Sequence, residues 1–347
     1  MTEANHEGGR KPATIEEQIK ERLKGVLVPG ANRSLEGLKL FREITVSSGQ
    51  ANITLASAAL NSEAQNWIRD KVKEICAGLR ELKSVEVDYT GAKPSELNEI
   101  SHIIAVMSGK GGVGKSLMAS LIGLSLARRG HEVGILDADI TGPSIPRIFG
   151  INARPGGSDT GILPVPTRAG IEIMSINLLL PNEDDAVIWR GPLIARTITQ
   201  FWEEVLWGKL DYLIVDLPPG TADASLTVMQ TLPITGVIIV FTPQDLVEMI
   251  VRKAVNMARQ MSKPVLGVVE NMSYLKLPDS GQHMELFGSS RGEAMAKVAG
   301  APLLARFPID PELAKLCDEG ELERYNSDIL NDFAEAFLQA MPSRRVK

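Results

Sequence analysis

The chain is poor in cysteine: Cys76 and Cys317 are the only two in 347 residues. That gives no disulfide framework and makes a reducing cytoplasm the expected compartment. Four histidines, His6, His102, His131 and His283, are scattered and offer no zinc-binding spacing. No apolar run approaches the roughly 20 residues of a membrane span, and Met1–Pro12 lacks the apolar core of a signal peptide. A membrane partner is therefore not expected. Excess positive charge is missing too: the formal net charge is −6, so general affinity for nucleic acid is not expected either. No internal repeat is visible. What remains is an ordinary globular composition, 44% hydrophobic and 23% charged, in a chain long enough for one large domain and one small one.

The stretch Met107-Ser108-Gly109-Lys110-Gly111-Gly112-Val113-Gly114-Lys115-Ser116 organises the rest. An apolar run, His102 to Val106, precedes it and reads as a buried parallel strand. Leu117 to Arg129 follows with helical periodicity. Strand, glycine-rich loop and helix is the context a phosphate-binding loop requires. Glycines let backbone N–H groups converge on one concavity, and the helix start adds a positive dipole end. Lys115 is placed to reach the β and γ phosphates, and the Ser116 hydroxyl to bind Mg²⁺.

Along the chain, residues 1–12 read as a disordered tail. Thr14 to Glu17 fits a capping box opening a helix with Ile15, Ile19 and Leu23 on one stripe. Leu40–Val46 and Ala51–Ser57 read as strands. Ala64, Trp67, Ile68, Val72, Ile75 and Leu79 mark an amphipathic helix, and Ser84–Tyr89 another strand. Residues 13–90 are thus expected to form a small α+β domain, 91–99 a linker, and 100–345 an α/β domain with a doubly wound, mostly parallel sheet. Its expected strands include Val133–Leu136, Ile171–Ile176, Leu210–Val215, Val237–Phe241 and Val265–Val269. Its expected helices are Leu193–Leu206, Val247–Met261, Arg291–Val298 and Asp328–Ala340.

Leu213-Ile214-Val215-Asp216 delivers one carboxylate at the C-terminal end of an apolar strand, the edge where α/β sheets bind ligands. Asp216 is expected to hold Mg²⁺ through water. The following Leu217-Pro218-Pro219-Gly220 suits a switch loop, with Pro219 and Gly220 near the γ-phosphate. At another strand end, Asp137 and Asp139 offer two roles, one in the Mg²⁺ shell and one orienting the attacking water. Cys76 lies on the apolar stripe of its helix and Cys317 has no second cysteine nearby, so both read as packing residues.

The pattern K-G-G-V-G-K-S at Lys110–Ser116 resembles the deviant Walker A loop of MinD/ParA-type ATPases. The stretch Asp137 to Pro146 resembles the signature of one branch, the Mrp-type iron–sulfur cluster carrier ATPases. So do Trp189-Arg190-Gly191-Pro192, Thr242-Pro243-Gln244-Asp245, Val251-Arg252-Lys253-Ala254 and Val268 to Tyr274. The resemblance spans Ile100 to Arg345. It implies a slow ATPase acting as a homodimer, in which Lys110 reaches the nucleotide of the partner subunit and Asp139 activates water. It further implies that Asn271 contacts the adenine and that Phe307 to Pro311, with Pro308 and Asp310, closes over the base. No N-K-x-D guanine-reading motif occurs, so ATP is expected rather than GTP. The implied job is to assist assembly or transfer of iron–sulfur clusters to apo-proteins, and the N-terminal unit resembles the small MIP18-like assembly domain fused ahead of such ATPases.

Two departures bear on that job. Family members that carry a cluster place C-x-x-C shortly after N-M-S-Y, so that two subunits supply four thiolates. Here Leu277 and Ser280 stand at those positions, so cluster ligands are not found, although the family implies a cluster. In the N-terminal unit, Val28-Pro29-Gly30 replaces an Asp-Pro-Glu turn, and Ala58-Ala59-Leu60 stands where many related domains have a cysteine. Two rivals stay open. A MinD/ParA-like positioning ATPase would want an amphipathic C-terminal helix or a basic face, and Ser343 to Lys347 is too short for either. A nucleotide-gated adaptor without turnover would not require Lys110, Lys115, Ser116, Asp137, Asp139 and Asp216 together.

Overall fold

The structure, a computed structural model, describes residues 14–140, 142–180, 191–220, 223–244 and 247–342. The expected tail at 1–12, His6, Thr141, Trp189, Arg190, Thr221, Ala222, Asp245 and the basic 343–347 stretch lie outside them.

The N-terminal unit begins with α1 (Ile15–Leu23), opened by the expected capping box: Thr14 and Glu17 exchange side-chain-to-backbone hydrogen bonds. Strands β1 (Phe41–Ser47) and β2 (Gln50–Ala56) form an antiparallel hairpin. Helix α2 (Ser62–Cys76), capped by Asn61, crosses over to β3 (Ser84–Thr90), which pairs parallel with β2. Ala64, Ile68, Val72 and Cys76 recur every four residues and form its buried stripe.

Residues 91–99, the expected linker, carry local structure of their own. Pro94 opens the short α3 (Pro94–Leu97), where a missing N–H does no harm, and both Pro94 and Leu97 are buried. Asn98 then fastens the junction: its Oδ1 accepts from the Trp207 and Gly208 N–H groups at 2.8 and 3.0 Å, and its Nδ2 donates to Val205 O at 2.9 Å. Arg33 adds a second tie, donating to Lys209 O at 2.7 Å and pairing with Glu132 at 3.2 Å. Leu163 and Leu206 from the large domain complete the apolar core of the small one.

The large domain starts with β4 (Glu99–Met107), α4 (Lys115–Ala127), β5 (Val133–Asp137) and the short α5 (Ile145–Ile148). An excursion of small strands follows: β6 (Gly156–Ser158), β7 (Gly161–Leu163) and β8 (Val165–Pro166), then β9 (Glu172–Ser175). After it come α6 (Gly191–Glu204), β10 (Lys209–Asp216), α7 (Asp223–Thr231), β11 (Gly236–Phe241), α8 (Val247–Gln260) and β12 (Val265–Glu270). A small hairpin, β13 (Leu275–Lys276) and β14 (His283–Met284), leads into α9 (Gly292–Ala299), β15 (Leu303–Arg306), α10 (Pro311–Asp318) and α11 (Asp328–Ala340).

Among the described residues the main sheet has eight strands in the order β15-β12-β11-β4-β10-β5-β9-β8, parallel except for the edge pair β8 and β9. Its strands read as near-continuous apolar runs because both faces are covered. Along β4, Ile103, Ala105 and Met107 enter one core, under α6 to α9, and Ile104 and Val106 enter the other, under α4, α10 and α11. Among the described residues no helix is long and apolar enough to cross a membrane.

Candidate nucleotide site

Strand order creates the site. β10 lies between β4 and β5, so Asp216 pairs in register with Val106 on one side and Asp137 on the other. Two carboxylates from distant parts of the sequence thus reach the sheet edge beside the loop that follows β4.

That loop turns into α4 at Gly114, whose φ of +81° is left-handed backbone that glycine adopts without strain. A Cβ on Gly114 would also stand 2.2 Å from Asn271 Nδ2. Gly109 answers a different need: a Cβ there would stand 2.3 Å from the Ile250 side chain of α8. The loop, Ser144, Ile148, Asp139 and Pro219 enclose a cavity of ≈ 300 Å³.

Lys115 is buried, with 6% of its side chain exposed. Its Nζ lies 2.6 Å from Asp216 Oδ1, 3.3 Å from Ser116 Oγ and 3.8 Å from Asp139 Oδ2. Asp137 is fully buried. Its Oδ1 accepts from Asp139 N at 3.2 Å, and its Oδ2 from Ile145 N at 3.3 Å and Ser175 Oγ at 3.1 Å. Burial, then the Asp216 charge, pushes the Asp137 carboxyl up to about 8. Burial also raises Asp216, against the pull of Lys115. Three carboxyl groups therefore share one ammonium, and the cavity is short of positive charge.

A hard divalent cation fits this donor set. The ligating atoms are all oxygen, and Asp216 Oδ2 is buried with no hydrogen-bond partner among the described residues. No group of three His, Cys, Asp or Glu side chains among the described residues forms a self-sufficient metal cage. Mg²⁺ in phosphate sites needs none, since water and phosphate supply most of its ligands.

Of the other expected residues, Lys110 extends to the Gln244 Oε1 just past β11. Sequence reasoning gave Gln244 no role, although its place at a strand end beside the loop was the available signal. Gly220 N donates to Ser108 O at 3.1 Å, and a Cβ on Gly111 would sit 3.8 Å from Pro219, so the expected switch loop touches the phosphate loop directly. Asn271 Nδ2 donates to Val113 O at 2.9 Å. Ser273 N donates to Phe307 O and Ile309 N to Tyr274 O, which brings the segment with Pro308 alongside the Asn271 strand end.

Asp310, expected in the loop closing over the base, directs its side chain into the protein. Its Oδ1 caps α10 by accepting from Glu312 N and Leu313 N, and its Oδ2 accepts from Tyr325 Oη at 2.9 Å. Asp followed by Pro311 is a helix start, with the side chain capping orphan N–H groups, and this uses both oxygens inside the protein.

Leu277 and Ser280 lie at the tip of the β13–β14 hairpin. Gly281 N donates to Leu277 O at 2.8 Å, and Gln282 N donates to the exposed Ser280 Oγ at 3.3 Å. The two cysteines are elsewhere. Cys76 is in the small domain's core, Cys317 is half-buried in α10, and burial raises both thiols, Cys317 to about 11. Neither is poised as a thiolate ligand.

Residues 99–341 match the ParA family model described as NUBPL iron-transfer P-loop NTPase. A Clostridium perfringens protein named iron-sulfur cluster carrier protein is 46% identical over 264 residues, covering 72% of this chain and 93% of its own. A Synechocystis protein of the same name is 37% identical over 311 residues, covering 86% of this chain and 88% of its own, so that likeness extends into the small domain. A solved nucleotide-binding protein from Archaeoglobus fulgidus, in complex with ADP, superposes with a TM-score of 0.61 at 46% identity, covering 67% of this chain and 92% of that one. The Aquifex aeolicus MinC:MinD cell division complex shares the fold, with a TM-score of 0.52 at 20% identity over 71% of this chain and all of that one. With the match spanning well over half its length, the chain belongs to the NUBPL-type iron-transfer P-loop NTPases.

Proposed function

We propose that this protein binds ATP with Mg²⁺, hydrolyses it slowly, and uses that cycle to assist assembly or transfer of iron–sulfur clusters to apo-proteins in the cytoplasm. The observation that carries the reading is the convergence of Lys115, Asp139 and Asp216 on a glycine-rich loop, in a chain whose relatives bear the cluster-carrier name. The N–H groups of Gly109 to Ser116 cradle the phosphates, and Lys115 exchanges its carboxylate partners for them. Ser116 and Asp216 would hold the cation. Asp137, its oxygens already taken by Asp139 N, Ile145 N and Ser175 Oγ, stands behind them as a further carboxyl group of the cation's surroundings. Mg²⁺ held there would supply positive charge against the charge developing on the phosphates. Asp139 orients the attacking water, Pro219 and Gly220 report the γ-phosphate, and Asn271 with Pro308 borders the base.

Lys110 leaves Gln244 to complete the site of a second copy, so the working unit is a homodimer. The small domain serves as an iron–sulfur assembly module. The residues at 277 and 280 do not fit a cluster, because leucine has no donor atom for iron and the thiols are remote. The protein therefore acts on clusters presented by a partner. Calorimetry with ATP and Mg²⁺ tests the first half, and absence of binding sinks it. Anaerobic transfer from a loaded donor to an apo-acceptor tests the second, and a transfer rate indifferent to the protein and ATP removes the carrier role.

A further inference from the structure

We infer that Glu270 is a positioning residue that clasps the root of the β13–β14 hairpin and ties the hairpin's orientation to the phosphate loop. Glu270 ends β12 and is fully buried. A buried carboxylate is unfavourable unless several donors satisfy it. Here four do, and three of them come from the two ends of one excursion. Glu270 Oε2 accepts from Ser273 Oγ at 2.6 Å, where the chain leaves the sheet, and from Ser290 Oγ at 2.6 Å, where it returns. Glu270 Oε1 accepts from Arg291 N at 2.7 Å, and Arg306 Nε, on β15, donates to Oε2 at 3.2 Å.

The excursion so clasped has little to hold itself in place. Two paired strands of two residues each do not make an independently stable unit, and Met284, Leu286 and Phe287 are 42–51% exposed. Its orientation is set at the root. There Tyr274 stacks on His283 across the hairpin at 4.0 Å, and the Arg306 guanidinium lies 5.9 Å from the Tyr274 ring. The next residue along from Glu270 is Asn271, whose side chain is bonded to Val113 O and pressed against Gly114. A shift of the loop backbone at 113–114 therefore meets Asn271, and the adjoining Glu270 carries it to both ends of the hairpin. Met272, at φ +54°, holds the chain in a turn between these anchors.

The coupling rests on the reading that the loop binds ATP; the clasp does not. Hydrogen–deuterium exchange of residues 275–288 in the full chain separates the two, in wild type and Glu270→Gln. The glutamine keeps the size but turns an amide against a ring of donors. Without nucleotide, exchange across the hairpin should rise on the order of tenfold in the variant, the equivalent of one lost buried hydrogen bond; equal exchange overturns the clasp. With adenylyl imidodiphosphate and Mg²⁺, wild-type hairpin exchange should change and the variant's should not, while calorimetry gives the same nucleotide affinity for both. A wild type that binds the analogue with unaltered hairpin exchange overturns the coupling, as does a variant that responds like wild type. A wild type that binds no analogue overturns the nucleotide reading and the coupling with it, leaving the clasp to the nucleotide-free comparison. Should Glu270→Gln not fold, Ser290→Ala removes one donor and keeps the charge; it should speed hairpin exchange by a smaller factor, and no effect overturns the clasp.

Discussion

Lys115 Nζ sits 2.6 Å from Asp216 Oδ1 across the sheet edge, so the ammonium proposed to bind phosphate and the carboxylate proposed to bind the cation are paired with each other here. Both are buried, and breaking such a pair from one side leaves an uncompensated charge. ATP with Mg²⁺ offers each a new partner of the right sign. Lys115→Ala should therefore abolish measurable ATP binding in calorimetry. It should also change thermal stability in the nucleotide-free protein, since Asp216 loses its counter-ion. Wild-type ATP affinity in this variant would overturn the phosphate-loop assignment.

Asp139 stands farther from the lysine, at 3.8 Å, and lines the cavity beside Ser144 and Pro219. A water-orienting carboxylate acts in the transition state and contributes little to ground-state contacts. Asp139→Ala should lower kcat by on the order of a hundredfold or more while leaving ATP affinity within a few-fold. The expected product is a trapped ATP-bound dimer, visible by light scattering. Hydrolysis at the wild-type rate would give the role to another residue.

Glu172 on β9 supplies a pH dependence remote from the nucleotide site. It is buried, its Oε2 has no hydrogen-bond partner among the described residues, and burial raises its carboxyl to about 8, with Arg33 pulling it down and Glu132 pushing it up. The folded protein keeps this proton where the unfolded chain has lost it. The contribution to stability is therefore full below the unfolded value of 4.5 and declines as pH rises to about 8. Over that window the slope is at most roughly 1.4 kcal/mol per pH unit. Glu172→Gln should remove it, so urea unfolding at pH 5.5 and 7.5 should show the variant gaining on wild type at the higher pH. A constant difference between the two pH values would contradict the burial argument.

Much of this is legible in the amino-acid sequence. Lys110 to Ser116 carry their own context of strand and helix, and Asp137 and Asp216 each end an unmistakable apolar run. Three kinds of relation were not legible. The insertion of β10 between β4 and β5 is a matter of topology, so the pairing of Asp216 with Asp137 cannot be read from spacing. The hydrogen-bond saturation of Asp310 and Glu270 is decided by residues up to 36 positions away, which no local pattern shows. Pro94 and Gly91 read as linker punctuation, which does not show the burial of Pro94 and Leu97 or the bonds of Asn98 to the 205–208 segment.

Lys110 is engaged with Gln244 of its own chain. Each lysine completing a partner's site would release that contact, so ATP would favour association by linkage. Wild type should associate in the presence of a non-hydrolysable ATP analogue and Mg²⁺, as read by light scattering, and Lys110→Ala should not. Equal association in both would remove the trans role of the lysine.

The hairpin tip sets family and residues against each other. Leu277 and Ser280 occupy one turn, closed by the bond from Gly281 N to Leu277 O, with their side chains near or in solvent and no cysteine within the hairpin. A [4Fe–4S] cluster needs four thiolate-type ligands in convergent geometry, and a dimer could supply them only from two such turns. Cys76 and Cys317 are packed in separate cores with raised thiols, so neither substitutes. Anaerobic reconstitution of wild type with iron and sulfide should therefore yield no stable cluster. The Leu277→Cys/Ser280→Cys double variant should gain iron and the broad visible absorption of an iron–sulfur centre, because the turn that would present the thiolates is already formed. Wild type holding about four irons per dimer would refute the ligand argument; in that case Cys76→Ser and Cys317→Ser identify which thiol had left its core.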